Sequence, residues 1–568
     1  MYILTVDQMR QAEASADAEG QTYELMMESA GQAVATAVRQ INHPEGLRVL
    51  VLVGPGNNGG DGLVAAYHLV RMGANVACYI WKREIAEDAN LIRATESGCR
   101  IIRADEDGAH VRLSREAEEA DIVLDALLGT GTTRPIDGAL ADLLDLVGET
   151  TRRRREHRLP WSKEALQIVD PTVKMPQRPE TPMIVAVDAP SGVNCDTGAV
   201  DPHTLNADLT VTFGFPKLGH FSFPGAATIG KLLVAEIGIA PRLVTDCYVK
   251  LVTSQMVTEK LPARPMDAHK GTFGKALIIA GSVNYTGAPA LAAIAAMRAG
   301  AGLVTLALGE SIFPIVAGKL LEPTYILLPE STGVISPDAI KVLNGQITNY
   351  QALLIGPGMG QDKEVTRFVQ QLLASAGTAT AKHTRIGFMA GETPDENVDK
   401  VGQDKSAPPM VIDADALNAL ATEEEWWNRV PAGGILTPHP GEMARLTRCT
   451  CDEVQADRIE VARQAAMGWN QIVVLKGAHT VIADPVGDVF ILPFANPILA
   501  SAGTGDVLAG AIAGLLAQGL TPLDAAIVGA FVHGMAAEEV EFSRNMSCGA
   551  VAGDLAACIP IAIQRLRT

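Results

Sequence analysis

The chain has 568 residues, 48% of them hydrophobic and 20% charged, with a formal net charge of −19. That profile excludes a disordered chain, and the length exceeds the roughly 250–300 residues one hydrophobic core organises, so at least two domains are expected. The acidic balance gives no electrostatic footprint for nucleic acid or a membrane surface, so an anionic ligand must be held by backbone N–H groups, helix N-termini or single lysines.

The eight cysteines are scattered, and Cys449 and Cys451, the one close pair, fit no zinc or redox spacing. A reduced, cytoplasmic setting is expected. Residues 1–10 carry Asp7 and Arg10 and no apolar core, so no signal peptide is expected. The apolar stretches 288–309 and 499–520 are interrupted by Arg298, by Asp506 and by glycines, and are predicted to be buried and not membrane-spanning.

In chain order, Thr5 and Gln8 have the spacing of a capping box. A helix over 26–41 follows, with Met26, Ala30, Ala33, Val34, Ala37, Val38 and Ile41 on one stripe. The spacing then predicts a strand over 48–53, a glycine-rich turn over 54–62 and a helix over 63–72 stopped by Gly73. Further buried strands are predicted at 75–80, 121–124, 183–187 and 208–213. Apolar runs alternating with helices indicate an α/β fold, mainly parallel, with helices on both sheet faces.

Residues 148–182 break this pattern with Arg152–Arg155 in a row and five prolines, and are read as an exposed insertion. It is either a basic contact surface or a solvated loop. The first pattern ends near residue 245, which divides the chain into domains 1–245 and 246–568. A new glycine-rich start at His269-Lys270-Gly271 leads into a strand over 275–280, and residues 378–409 read as a second exposed loop.

Chemistry in the first half gathers at strand ends. Gly54, Gly56 and Gly59 match G-x-G-x-x-G between a strand and a helix, a weak signal alone, within Gly-Pro-Gly-Asn57-Asn58-Gly59-Gly60-Asp61-Gly62. Asp125 ends one strand and precedes Gly129-Thr130-Gly131-Thr132-Thr133-Arg134-Pro135; Asp188 ends another and precedes Pro190-Ser191. Asn58, Asp125 and Ser191 are oxygen donors suited to a hard cation, and Asp188 suits proton transfer. The alternative for a single such Asp is a loop cap.

These three segments, with Phe213-Gly214-Phe215-Pro216-Lys217, resemble the NAD(P)H-hydrate epimerase family in residues and order. The resemblance implies a Rossmann-like three-layer domain. It implies hydrate binding by Asn57, Asn58, Gly59, Gly60, Asp61 and by 129–135, potassium at Asn58, Asp125 and Ser191, and substrate contact with proton transfer at Asp188.

In the second half, Gly503-Thr504-Gly505-Asp506 opens an Ala/Leu/Ile-rich helix, where amides form an anion hole and Asp506 can take a proton from a hydroxyl. Residues 472–483 read as strand, turn and strand, with Lys476, Gly477, Ala478, His479 and Thr480 at the turn. His439 lies between two prolines, Gly358 sits in a strand-end glycine loop, and Asp413 and Asp415 offer metal–phosphate contacts. A satisfied loop histidine and an ordinary Lys-Gly turn are the plain alternatives.

Together these segments resemble the ribokinase-like fold and, within it, the ADP- or ATP-dependent NAD(P)H-hydrate dehydratase family. The match runs from His269 through Gly281-Ser282-x-x-Tyr285-Thr286-Gly287-Ala288 to Asp506. The resemblance implies hydrate binding at Ala288, Gly358, His439 and Asp506 and nucleotide binding at Lys476, Gly477, Ala478, His479, Thr480 and Gly505. It implies ADP, or else ATP, as donor with magnesium, and NADHX and NADPHX as substrates; a homo-oligomer is the expected assembly. Two rivals stay open here: a kinase of a vitamin-like alcohol carrying an N-terminal ligand-binding domain, and a non-enzymatic sensing or scaffolding role for the first half.

Overall fold

The computed structural model describes residues 1–83, 88–131, 134–156, 182–381, 407–544 and 548–568. It falls into two units, Met1–Cys247 and Tyr248–Thr568. Among the described residues, no helix is long and apolar enough to cross a membrane.

The first unit opens with α1 (Val6–Ala18), whose N-cap Thr5 and Gln8 form the expected capping box, and α2 (Tyr23–Ile41). Ile41, at the end of the α2 stripe, is exposed. The chain continues through β1 (Arg48–Val53), α3 (Asn57–Arg71), β2 (Asn75–Ile80), α4 (Ala89–Glu96), β3 (Arg100–Arg103), α5 (Val111–Glu119), β4 (Ile122–Ala126), α6 (Gly138–Glu156), β5 (Met183–Val187), β6 (Leu209–Phe213) and β7 (Lys231–Ala235). All seven strands pair in parallel, in the order β3-β2-β1-β4-β5-β6-β7. Side chains of β1 alternate between the sheet's two faces. Val49, Val51 and Val53 join one apolar cluster with Val34 and Leu63, while Leu50 and Leu52 join the other with Leu113 and Leu143.

Two expectations need correcting. The stretch 54–62 is not all turn: α3 begins at Asn57, with Gly56 as its N-cap. Asn and Gly are poor helix formers, so propensity points away from a helix that packing nonetheless sustains. Likewise, 148–156 is not loop but the end of α6. Its arginines pair with the protein: Arg153 with Glu118 at 2.6 Å, Arg154 with the carbonyls of Ala117 and Ala120, and Arg155 with Asp208. The rest of that insertion, 157–181, lies outside the described residues, as do 382–406 of the second; residues 378–381 of the latter belong to the helix Lys363–Ala381.

The second unit is built on a ten-stranded sheet. Across it run Thr324–Leu328, Leu303–Gly309, Lys275–Ile279, Ala352–Ile355, Met410–Ile412, Ile435–Leu436, Ile472–Leu475, Val481–Ala483, Val489–Ile491 and Val249–Leu251. Only the pairings of Val481–Ala483 with its two neighbours are antiparallel. The helix Thr504–Ala517 is buried along most of its length and packs against Gly287–Arg298.

Candidate functional site

In the first unit the winding reverses between β1 and β4. Open parallel sheets bind ligands at such a switch point, beyond the carboxyl ends of the strands. A cleft of about 880 Å³ is lined by Asn57, Asn58 and Asp61 of α3, by Gly129, Thr130 and Gly131, and by Asp188. A Cβ on Gly54 would lie 1.8 Å from the Leu127 carbonyl oxygen, and one on Gly59 2.1 Å from that of Gly54. Only glycine permits this tight approach of turn and helix start. Gly56 caps α3 with no side-chain hydrogen bond, and amides at a helix start of this kind suit an anion. Arg83 ties down the turn by donating to the carbonyls of Gly54 and Gly56 at 3.0 and 2.7 Å.

Asn58, Asp125 and Ser191 come together. Asn58 Nδ2 donates to the Leu128 carbonyl at 2.9 Å, and Leu128 N–H donates to Ser191 Oγ at 2.9 Å. Ser191 in turn donates to the fully buried Asp125, from N at 2.8 Å and from Oγ at 2.6 Å. Burial pushes the Asp125 carboxyl up despite these bonds. Asn58 Oδ1 is buried with no hydrogen-bond partner. An orphaned oxygen beside a desolvated carboxylate and a hydroxyl fits a hard monovalent cation. Among the described residues, no group of three or more His, Cys, Asp or Glu side chains is placed to hold a metal.

Asp188 follows β5 with φ +65°, in the left-handed region, a strain typical of functional loops. Its Oδ1 accepts from Lys217 Nζ at 2.6 Å, Thr212 Oγ1 at 2.8 Å and Phe213 N–H at 3.3 Å. Burial would raise its pKa, but the charge and hydrogen bond of Lys217 bring it below the usual carboxylate value. Lys217 is itself 1% exposed. Glu13, from α1, also lines the cleft, and burial raises its carboxyl. Neither Lys217's pairing nor Glu13's presence was expected from the motifs. Thr132 and Thr133 lie outside the described residues; Arg134 and Pro135 are exposed and are not among the residues lining the cleft.

The second unit repeats the logic. Its winding reverses between Lys275–Ile279 and Ala352–Ile355, and the loops beyond them clasp each other: Gly281 N–H donates to the Pro357 carbonyl at 2.9 Å and Ser282 Oγ to that of Gly358 at 2.9 Å. Gly358, at φ +63°, abuts Ala288, whose Cβ would lie 2.7 Å from a Cβ added there. Asp415 accepts from Gly360 N–H at 2.7 Å. Across the crevice Lys476 Nζ lies 2.9 Å from Asp413 and 3.6 Å from Glu442. Burial opposes the lysine's charge, but these two carboxylates hold its pKa above the ordinary value. The same ammonium would be 3.5 Å from a Cβ on Gly505.

Asp506 stands on the first turn of Thr504–Ala517, and burial, then Asp413, push its pKa up to about 7. His439 Nδ1 accepts from the amides of Gly441 and Glu442, so its other nitrogen carries the proton in the neutral ring. Burial lowers its pKa. At the 476–480 turn His479 is buried, with Nδ1 at 3.1 Å from the Leu492 carbonyl, while Thr480 Oγ1 donates to the Gly477 carbonyl. Any nucleotide contact by His479 would therefore fall to its backbone.

Residues 276–378 and 387–560 match the family described as NAD(P)H-hydrate dehydratase, and residues 23–219 match the family described as YjeF-related protein N-terminus. The bifunctional NAD(P)H-hydrate repair enzyme Nnr of Moorella thermoacetica is 37% identical, over 100% of this chain and 97% of its own. The chain belongs to the family of bifunctional NAD(P)H-hydrate repair enzymes. The relative from Thermofilum pendens with the same name is 35% identical over 97% of this chain and 94% of its own. A solved ADP/ATP-dependent NAD(P)H-hydrate dehydratase from Bacillus subtilis, co-crystallised with ATP/Mg2+, shares 30% identity, covering 56% of this chain and 99% of its own, with a TM-score of 0.44. In this member of the repair-enzyme family, α1, with Glu13, lies ahead of the matched segments.

Proposed function

We propose that the chain repairs hydrated NADH and NADPH in the cytoplasm, in two steps at two separate crevices. The first unit interconverts the R and S hydrates; the second uses ADP to dehydrate the S form, giving NAD(P)H, AMP and phosphate. The observation that carries this reading is the pairing of a full-length family match with a cleft at the first unit's switch point and a gathering of Asp413, Lys476 and Asp506 at the strand ends of the second.

A hydrated nicotinamide ring carries a hydroxyl on a saturated carbon, and hydroxide leaves poorly at neutral pH. Asp506 takes the hydroxyl proton as the oxygen attacks the terminal phosphoryl group of the nucleotide, and the amides of the 503–506 turn hold the moving charge. Phosphate then departs with the carbon–oxygen electron pair, and the adjoining ring carbon gives up a proton as the double bond returns. Ala288, Gly358 and His439 hold the hydrate, while Lys476, the 477–480 backbone and Gly505 border the nucleotide. Asp413 and Asp415 already accept from Lys476, Thr437 and Gly360, so magnesium would come bound to the phosphates.

In the first unit, residues 57–61 at the start of α3 and the loop 129–131 bind the hydrate, and Asp188 moves a proton. Potassium would sit on Asn58, Asp125 and Ser191, where its charge offsets the buried carboxylate. Asp506→Asn should abolish release of AMP from ADP while exchange between hydrate epimers continues; AMP released at the wild-type rate by that variant would contradict the assignment.

A further inference from the structure

The epimerase reading above gives Asp61 contact with the hydrate but no part in moving protons. Asp61 lines the cleft with Asp188, and burial and neighbouring charges, with no hydrogen bond among the described residues, act on its carboxyl. Asp188 is the opposite case, gripped by Lys217, Thr212 and the Phe213 amide. We propose, resting on that reading, that Asp61 is the second proton-transfer residue of the epimerase, an acid that gives a proton to the ring nitrogen while Asp188 takes one from the hydroxyl.

The charges around Asp61 favour this division. The groups that act on it are Asp188 beyond β5, Glu13 on α1, Lys217 beyond β6, and Arg83 beyond β2. Burial and the two carboxylates outweigh the two cations, and its pKa stands well above the ordinary value. Asp188, held by Lys217, is displaced the other way. Two carboxyls of one cleft pushed apart in this manner make an acid and a base.

The chemistry balances. Hydration next to the ring nitrogen makes a hemiaminal. Asp188 takes the hydroxyl proton, and the oxygen's electron pair forms a carbonyl. The carbon–nitrogen bond breaks with its pair going to nitrogen, which takes the proton of Asp61. Rotation about the adjoining carbon–carbon bond presents the other face of the aldehyde. Nitrogen adds back, both protons return, and the carbon is inverted with no oxidant or leaving group.

The test uses the full chain without nucleotide and one separated NADHX epimer, following formation of the other by chromatography. The wild-type rate should fall at both pH extremes, with the acid limb set by Asp188 and the alkaline limb by Asp61. Asp61→Asn should lower kcat by about a hundredfold or more and lose the alkaline limb, while Asp61→Glu recovers part of the rate. Run in ¹⁸O-water, the wild type should keep its original oxygen through inversion. An Asp61→Asn kcat within about fivefold of wild type, an alkaline limb that survives in that variant, or one solvent oxygen gained per inversion would overturn the proposal. Absence of any interconversion by the wild-type chain would overturn the epimerase reading as well.

Discussion

Lys476 and Asp413 form a buried ion pair, 2.9 Å from Nζ to Oδ1, beyond the ends of the strands Ile472–Leu475 and Met410–Ile412 of the second unit. Asp413 is 1% exposed and also accepts from Thr437 Oγ1 at 2.7 Å. Removing one partner of such a pair leaves an uncompensated charge in the interior. Lys476→Met should therefore destabilise the second unit by about 3–5 kcal/mol, read as a lowered denaturation midpoint in urea. A midpoint unchanged from wild type would mean the pair is not closed in solution.

Dehydration should depend on pH through Asp506. Its pKa of about 7 means that a base there is protonated, and idle, in mildly acidic solution. As pH rises through 7 the carboxylate forms, so kcat for hydrate dehydration should climb and level off above it. Asp506→Asn should remove this limb together with at least a hundredfold, roughly, of the rate. A rate that falls as pH rises through this range would reverse the assigned role.

The cation pocket makes a different prediction. With Asn58 Oδ1 unpaired and Asp125 desolvated, epimer exchange should be faster in potassium than in lithium chloride at equal ionic strength. Asp125→Asn should flatten that difference while leaving the circular dichroism spectrum in place. Equal rates in both salts for the wild-type protein would argue against a bound monovalent ion.

Gly358 ties backbone strain to ligand binding. At φ +63° an alanine costs about 1–2 kcal/mol in conformation, and its Cβ would also meet those of Ala288 and Tyr285 at 2.7 and 2.8 Å. Gly358→Ala should raise KM for the hydrate in the dehydration assay, with a smaller effect on KM for ADP. Equal rises in both would place the damage in the fold at large.

The parts of each crevice that were legible in the sequence share one trait. Asp125, Asp188 and Asp413 each end an apolar run, so their place at strand ends follows from local pattern. Lys217 escaped because a lone lysine 29 residues from Asp188 carries no local sign of its partner. Glu13 escaped because α1 shows only its capping box and touches the cleft through tertiary packing. Asn57 to Gly60 were read as turn since their propensity opposes a helix. The arginines of α6 read as part of an exposed insertion because their acceptors lie on segments distant in sequence.

The most direct measurement supplies an equal mixture of R- and S-NADHX, ADP and magnesium to the full chain and follows recovery of the dihydronicotinamide absorbance. Two cooperating sites require the wild-type protein to convert the whole mixture, and Asp188→Asn to stall after the S half during a time in which the free hydrates scarcely interconvert. Complete conversion at the wild-type rate by Asp188→Asn, or no ADP-dependent recovery by the wild type, would contradict the account.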